Sequence, residues 1–152
     1  MKRLLLLTVI FLSGCIDVDM EMDADTPAVT PTETISLYVD NFNNADITLL
    51  NETTASPFFW LRGTERNVYD SYGDSVDFDR LRSDGWSYSK INSLELIYED
   101  PETSMVNMNF SRYGGDDQVI LTASANYLLI NYDGVWKIKG GFAPTKISIG
   151  KD

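Results

Sequence analysis

From Ser104 to Phe142 the chain reads SMVNMNFSRYGGDDQVILTASANYLLINYDGVWKIKGGF, and the fold follows from how this stretch divides. Three apolar runs, Ser104 to Tyr113, Gln118 to Tyr132 and Val135 to Phe142, are parted by Gly114-Gly115-Asp116 and by Asp133-Gly134. Asp-Gly between apolar runs is a strong hairpin signal, because the favoured two-residue turn needs positive φ at both positions. Alternation in the first run puts Val106, Met108, Phe110 and Arg112 on one face and Met105, Asn107, Asn109 and Ser111 on the other. The apolar face should look inward, which sets Arg112 at the inner or rim end of its row. In the second run Leu121, Ala123, Ala125, Tyr127 and Leu129 share a face with small residues at its middle, leaving room for a ligand or an approaching helix. Ile120, Leu128 and Ile130 make the opposite face apolar toward one end, so this strand is central or packs against another subunit.

Upstream, Trp86 to Glu99 adds a further long strand that ends at Asp100-Pro101-Glu102. Before it the pattern is helical. Thr30-Pro31-Thr32-Glu33 combines an N-cap, a proline at the first helical position and a capping-box glutamate. Ile35, Tyr38, Val39 and Phe42 follow at the spacing of one helix face, and Asn43-Asn44-Ala45 closes the helix. Asp46 caps a second helix over about 47 to 55, which Pro57 stops. Phe58-Phe59-Trp60-Leu61 reads as a short buried strand, and Val76 to Arg82 as another short helix before Asp84-Gly85. Helices first and a meander afterwards define an α+β domain, with helices covering one face of a strongly curved antiparallel sheet. Residues 143–152, with Ile147 and Ile149, read as an extra edge strand, and a single domain spans 31–152.

Composition removes several chemistries. The 152 residues include no histidine, so imidazole bases, imidazole metal ligands and triads built on histidine are excluded. One cysteine allows neither an intrachain disulfide nor a thiolate metal cluster. With 12 basic against 23 acidic side chains, a sequence-independent grip on nucleic acid is excluded, since phosphate binding rests on Lys and Arg releasing counterions. Asp70, Asp74, Asp77 and Asp79 surround the third helix, where Asp77 and Asp79 suit its first turn electrostatically; no metal and no other cofactor is expected.

The chain begins Met1-Lys2-Arg3, runs apolar from Leu4 to Leu12 with only Thr8 interrupting, and continues Ser13-Gly14-Cys15. The run is too short for a membrane span, which takes roughly 20 helical residues, and has the basic start and small-residue end of a secretory signal. Leu12-Ser13-Gly14-Cys15 resembles the lipobox of bacterial lipoproteins. That resemblance implies cleavage after a signal peptide over 1–14 and acylation of Cys15, with two or three chains anchoring the protein stably where one would not. The expected location is the cell envelope, on a membrane facing the periplasm or the exterior; which membrane is left open. Residues 16–30, rich in alternating acidic side chains, read as a solvated linker after Cys15. A calcium loop there is argued against by Met22, which stands where the helix-loop-helix calcium motif needs glycine.

The segment Tyr38-Val39-Asp40-Asn41-Phe42-Asn43-Asn44-Ala45-Asp46 near the front, and Asp133-Gly134-Val135-Trp136-Lys137-Ile138 at the end, resemble the first helix and last hairpin of the nuclear transport factor 2-like (NTF2-like) superfamily. The resemblance covers about residues 31 to 142. It implies a cone-shaped α+β fold with an internal pocket but no single function, because the fold hosts isomerases, cyclases, dehydratases and transport factors. Against the ketosteroid isomerase branch, Tyr38 falls where those enzymes keep the tyrosine that donates to the enolate. Trp60, however, falls in the place of their catalytic aspartate and Leu128 near their second, protonated one. Neither side chain can act as a base. The dehydratase and cyclase branches commonly lean on His-Asp pairs, which this chain lacks.

No catalytic residue is therefore assigned. The pocket candidates are Tyr38, Trp60, Tyr88, Phe110, Arg112 and Tyr127, with Arg112 an anchor for a carboxylate or other anion unless it pairs with an acidic neighbour. Core packing is the competing explanation for the large aromatics, Trp86 and Trp136 included. The expected activity is non-enzymatic binding of a small apolar or anionic ligand or of a protein partner, with a homodimer through the sheet as one form of partner. An isomerase- or lyase-like enzyme, or a structural subunit of an envelope assembly, is the alternative.

Overall fold

The computed structural model describes residues 28–143 and 147–151. Helix α1 (Pro31–Asn43) starts at the capping box: Thr30 Oγ1 accepts from Glu33 N at 3.3 Å, while Thr30 N donates to Glu33 Oε2 at 2.7 Å. Its Ile35, Tyr38, Val39 and Phe42 are all buried. Helix α2 (Ile47–Thr53) is capped by Asp46, which accepts from Leu49 N at 3.0 Å. It ends at Thr53 and not at 55, because β1 (Thr54–Arg62) already begins at the next residue.

After β1 come β2 (Glu65–Tyr69), a single 3-10 turn (Tyr72–Asp74) and helix α3 (Phe78–Ser83). The third helix is shorter than the Val76–Arg82 expected, because Asp77 is its N-cap, accepting from Arg80 N at 2.9 Å, and Val76 is spent on a bridge to Gly150. The long strands β3 (Tyr88–Glu99), β4 (Thr103–Tyr113), β5 (Val119–Tyr132) and β6 (Val135–Ala143) follow within a residue or two of the expected bounds.

The sheet is six-stranded and mixed, in the order β2-β1-β6-β5-β4-β3, and it does not close into a barrel. The expected all-antiparallel sheet is thus corrected at one seam: β1 runs parallel to β6, with Phe59 opposite Gly140 and Trp60 opposite Gly141. The expected buried strand is covered on one face only, with Phe58 and Trp60 buried, Phe59 half-buried and Leu61 exposed, and such alternation cannot name a strand's partner. Glycine is required at the seam. A Cβ on Gly140 would lie 2.5 Å from the Phe59 ring, and one on Gly141 would collide with the ring of Trp60.

Bulges at Ile91/Ser93 and Leu96/Tyr98 interrupt the β3–β4 ladder, and such bulges bend a sheet. Helix α1 lies on the resulting inner face. Its C-terminal end is clamped to β3, where Asn43 Nδ2 donates to Ser89 O at 2.9 Å and Ser89 N donates to Asn43 Oδ1 at 2.8 Å. The small residues Ala123 and Ala125 of β5 are buried in the core shared with Ile35, Tyr38 and Val39 of α1. On the outer face polar side chains satisfy one another: Asn107 Nδ2 donates to Asn126 Oδ1 and Asn109 Nδ2 to Ser124 Oγ, each at 2.9 Å.

The tail does not form the expected edge strand. Among its described residues only Gly150 makes a bridge, while Ile147 and Ile149 are buried. Their alternation reflects extended chain laid across the inner layer, where Arg62 Nη1 donates to Ile147 O at 3.2 Å and Asp77 N to Ile149 O at 2.9 Å. The expected signal segment, Cys15 and the acidic stretch up to residue 27 lie outside the described residues; residues 28–30 are exposed. Among the described residues, no helix is long and apolar enough to cross a membrane, and no cluster of His, Cys, Asp and Glu could hold a metal ion.

Candidate ligand cavity

Helix α1 brings Tyr38, Val39 and Phe42 to the inner face, and four strands bring Trp60, Ser89, Met108, Phe110, Arg112 and Tyr127 to meet them. Ile147 and Ile149 of the tail complete the wall of a cavity of about 30 Å³. A cavity needs roughly 10–15 Å³ of such volume to hold one water, so there is space for a few heavy atoms only.

Five of the six pocket candidates, Tyr38, Trp60, Phe110, Arg112 and Tyr127, line this cavity; Tyr88 does not. Its neighbour Ser89 takes the inward position on β3, so alternation turns Tyr88 outward. There its ring stacks on Tyr113 at 4.9 Å under the Lys90 ammonium, and its hydroxyl donates to Asp117 Oδ1 at 2.7 Å. That bond to a carboxylate pushes the Tyr88 hydroxyl up to about 12. Leu128 also faces away: β5 sends Tyr127 and Leu129 into the core and leaves Leu128 half-buried on the other side. The inward residue at that level of the cone is Tyr127. Trp86 belongs to the core and donates through Nε1 to Ser89 Oγ at 3.0 Å. Trp136 is half-buried and lines a surface groove with residues of α1 and α2.

The hydroxyl of Tyr38 bonds that of Tyr72 at 2.8 Å, and its ring lies 5.5 Å from that of Tyr127. Burial raises the pKa of Tyr38, Tyr72 and Tyr127 above the usual phenol range, so all three stay neutral. Arg112 is 7% exposed. Its guanidinium carbon sits 5.8 Å from the ring centres of both Phe42 and Phe110, a favourable seat for a cation. Among the described residues it has no carboxylate partner; Nη1 donates instead to Ser148 O at 2.5 Å, and Nε has no acceptor. Burial lowers the Arg112 pKa from its usual high value, and the group remains a cation. Trp60 Nε1 is likewise buried without an acceptor.

The lining thus offers one cation, an indole N–H and neutral phenols, with no carboxylate or imidazole among them. It is equipped to receive hydrogen-bond acceptors and lacks a group to take a proton from carbon. Tail residues Ile147 and Ile149 also line the cavity, and their only sequence signal is an i, i+2 spacing that fits an edge strand equally well. Tyr72, in a loop turn, carries no periodic signal at all.

A helical layer on a bent, open, mixed sheet with an internal cavity defines a cone-type α+β protein. The family model described as NTF2-like protein (DUF6841) matches residues 32–145, and the chain belongs to that family. Among solved structures, a candidate dehydratase of the NTF2-like family from Streptomyces avermitilis is similar with a TM-score of 0.59 at 12% identity, over 81% of this chain and 97% of that one. A ketosteroid isomerase-like protein from Erwinia carotovora atroseptica SCRI1043 is similar with a TM-score of 0.52 at 16% identity, over 82% and 98% of the two chains. A candidate aromatic ring hydroxylase from Novosphingobium aromaticivorans gives 0.58 at 10% identity, over 76% and 86%. Likeness at such identities is a likeness of fold. No curated protein matches the chain.

Proposed function

We propose that this chain is a membrane-tethered, extracytoplasmic domain that holds a small ligand in its cone and performs no chemistry on it. What supports this reading is the cavity lining, in which Trp60 and Arg112 carry buried N–H groups without a partner and no residue is a base. Chemistry of the isomerase kind needs a base within hydrogen-bond reach of the substrate carbon. Trp60 and Tyr127 supply an indole and a neutral phenol instead. The tether rests on Leu12-Ser13-Gly14-Cys15 and the apolar run before it, and the acidic stretch that follows would hold the domain off anionic head groups.

Native mass spectrometry of the purified full chain tests the ligand. A mass excess that survives gentle ionisation and disappears on denaturation is expected, and a chain that neither retains nor takes up any small molecule ends this reading. Labelled palmitate tests the tether in the same preparation: incorporation should vanish in Cys15→Ala, and equal labelling of both chains would remove the anchor.

A further inference from the structure

We propose that the ligand of the cone is a short-chain carboxylate, gripped by the Nε–Nη2 edge of Arg112 and by the indole N–H of Trp60. This rests on the reading that the cone holds a ligand and names its chemical class. Both residues line the cavity, both are more than nine-tenths buried, and each carries an N–H with no acceptor among the described residues. Buried donors are rarely left unpaired, so two on one small cavity mark the place of an acceptor that the chain does not supply. Arg112 narrows the choice. With Nη1 committed to Ser148 O, the guanidinium retains its Nε–Nη2 edge, whose two parallel N–H groups match the two oxygens of a carboxylate.

Charge and size agree. A buried cation without an ionic partner is costly, and the faces of Phe42 and Phe110 compensate only part of its lost hydration. A monoanion supplies the missing charge. At about 30 Å³ the cavity takes a group the size of formate or acetate, with Val39 and Met108 available to a methyl. Cations are refused by Arg112, and neutral hydrocarbons would leave both donors unpaired. A phosphate or sulfate dianion would be bulkier and would find Arg112 as the one cation in the lining.

The test titrates the full chain in detergent with sodium acetate and with sodium formate, following the Trp60 indole N–H and the Arg112 Nε–H by NMR; sodium chloride at equal ionic strength is a separate arm. Saturable shifts of both signals with one carboxylate are expected, with chloride at least tenfold weaker. Arg112→Lys keeps the charge but loses the fork and should weaken binding by about tenfold or more; Trp60→Phe keeps the ring but loses the donor and should weaken it several-fold. The amide spectrum of each variant separates lost binding from lost fold. Equal response to chloride, or undiminished affinity in a folded Arg112→Lys, overturns the carboxylate assignment. So does a neutral molecule found bound by mass spectrometry, which would leave the ligand-binding role itself intact.

Discussion

Gly141 and Trp60 cannot both be large. Because a Cβ at Gly141 would collide with the indole, Gly141→Ala forces the ring to move or β1 and β6 to separate. Overfilling of this kind costs about 1–3 kcal/mol, read as a lower urea midpoint with an unchanged slope. The variant should also shift the Trp60 indole resonance, since that ring forms part of the cavity wall; an unmoved midpoint and an unmoved resonance would show that the seam has slack. The sequence presents Gly140-Gly141 without indicating their purpose. A glycine pair inside a strand pattern signals close approach, and the ring that approaches comes from a distant segment. Arg112 was legible because it ends an alternating row. Its lack of an acidic partner was not, since the chain abounds in carboxylates and none of those described reaches it.

At the level of elements, the β3–β4 turn depends on one carboxylate. Asp100 accepts from Glu102 N at 2.8 Å, from Thr103 N at 2.7 Å and from the Tyr98 hydroxyl, and these bonds hold its pKa down at about 2. In the unfolded chain that group titrates near 4. A lowered folded value means the contribution is full above about pH 4 and is lost as pH falls toward 2, because the unfolded state takes up the proton first. Wild type should therefore exceed Asp100→Asn in urea midpoint at pH 6, and the gap should shrink steadily as pH falls from about 4 toward 2; a constant gap would assign the effect to shape and not to charge. Helices α1 and α2 and the four long strands are readable from caps, periodicity and turns, because these signals are local. Helix α3 starts two residues later than its apolar pattern indicates, because Asp77 caps it and Val76 lies before the cap. Strand β2 went unread for another reason: Glu65 to Tyr69 pairs through its backbone at the sheet's edge while Val68 is 73% exposed, so its side chains bury no alternating face to be seen.

Taken as a whole, the molecule is closed by its own tail. Ile147 is buried, and it lines the cavity together with Arg112, Tyr38 and Trp60. Ile147→Ala should cost about 2–4 kcal/mol and enlarge the space beside Arg112, so that carboxylates one or two carbons longer become ligands. A loss of stability with no change in which acids bind would make Ile147 a packing residue only. The superfamily resemblance indicated the cone and its pocket; it could not indicate how much of the pocket is filled. That depends on Trp60, Tyr127 and the tail, whose joint volume no periodicity encodes.

The parallel seam between β1 and β6 has a further consequence, for the order in which the chain can assemble. Phe59 finds its partner only at Gly140, about two-thirds of the domain's length later, while β3 to β6 pair with immediate neighbours. Closing so long a loop early is entropically unfavourable. The meander should therefore form first and serve as the template onto which β1, carrying β2 with it, is laid. Until β6 has emerged, β1 has no neighbour but β2, and its apolar run Phe58-Phe59-Trp60 stays exposed to aggregation.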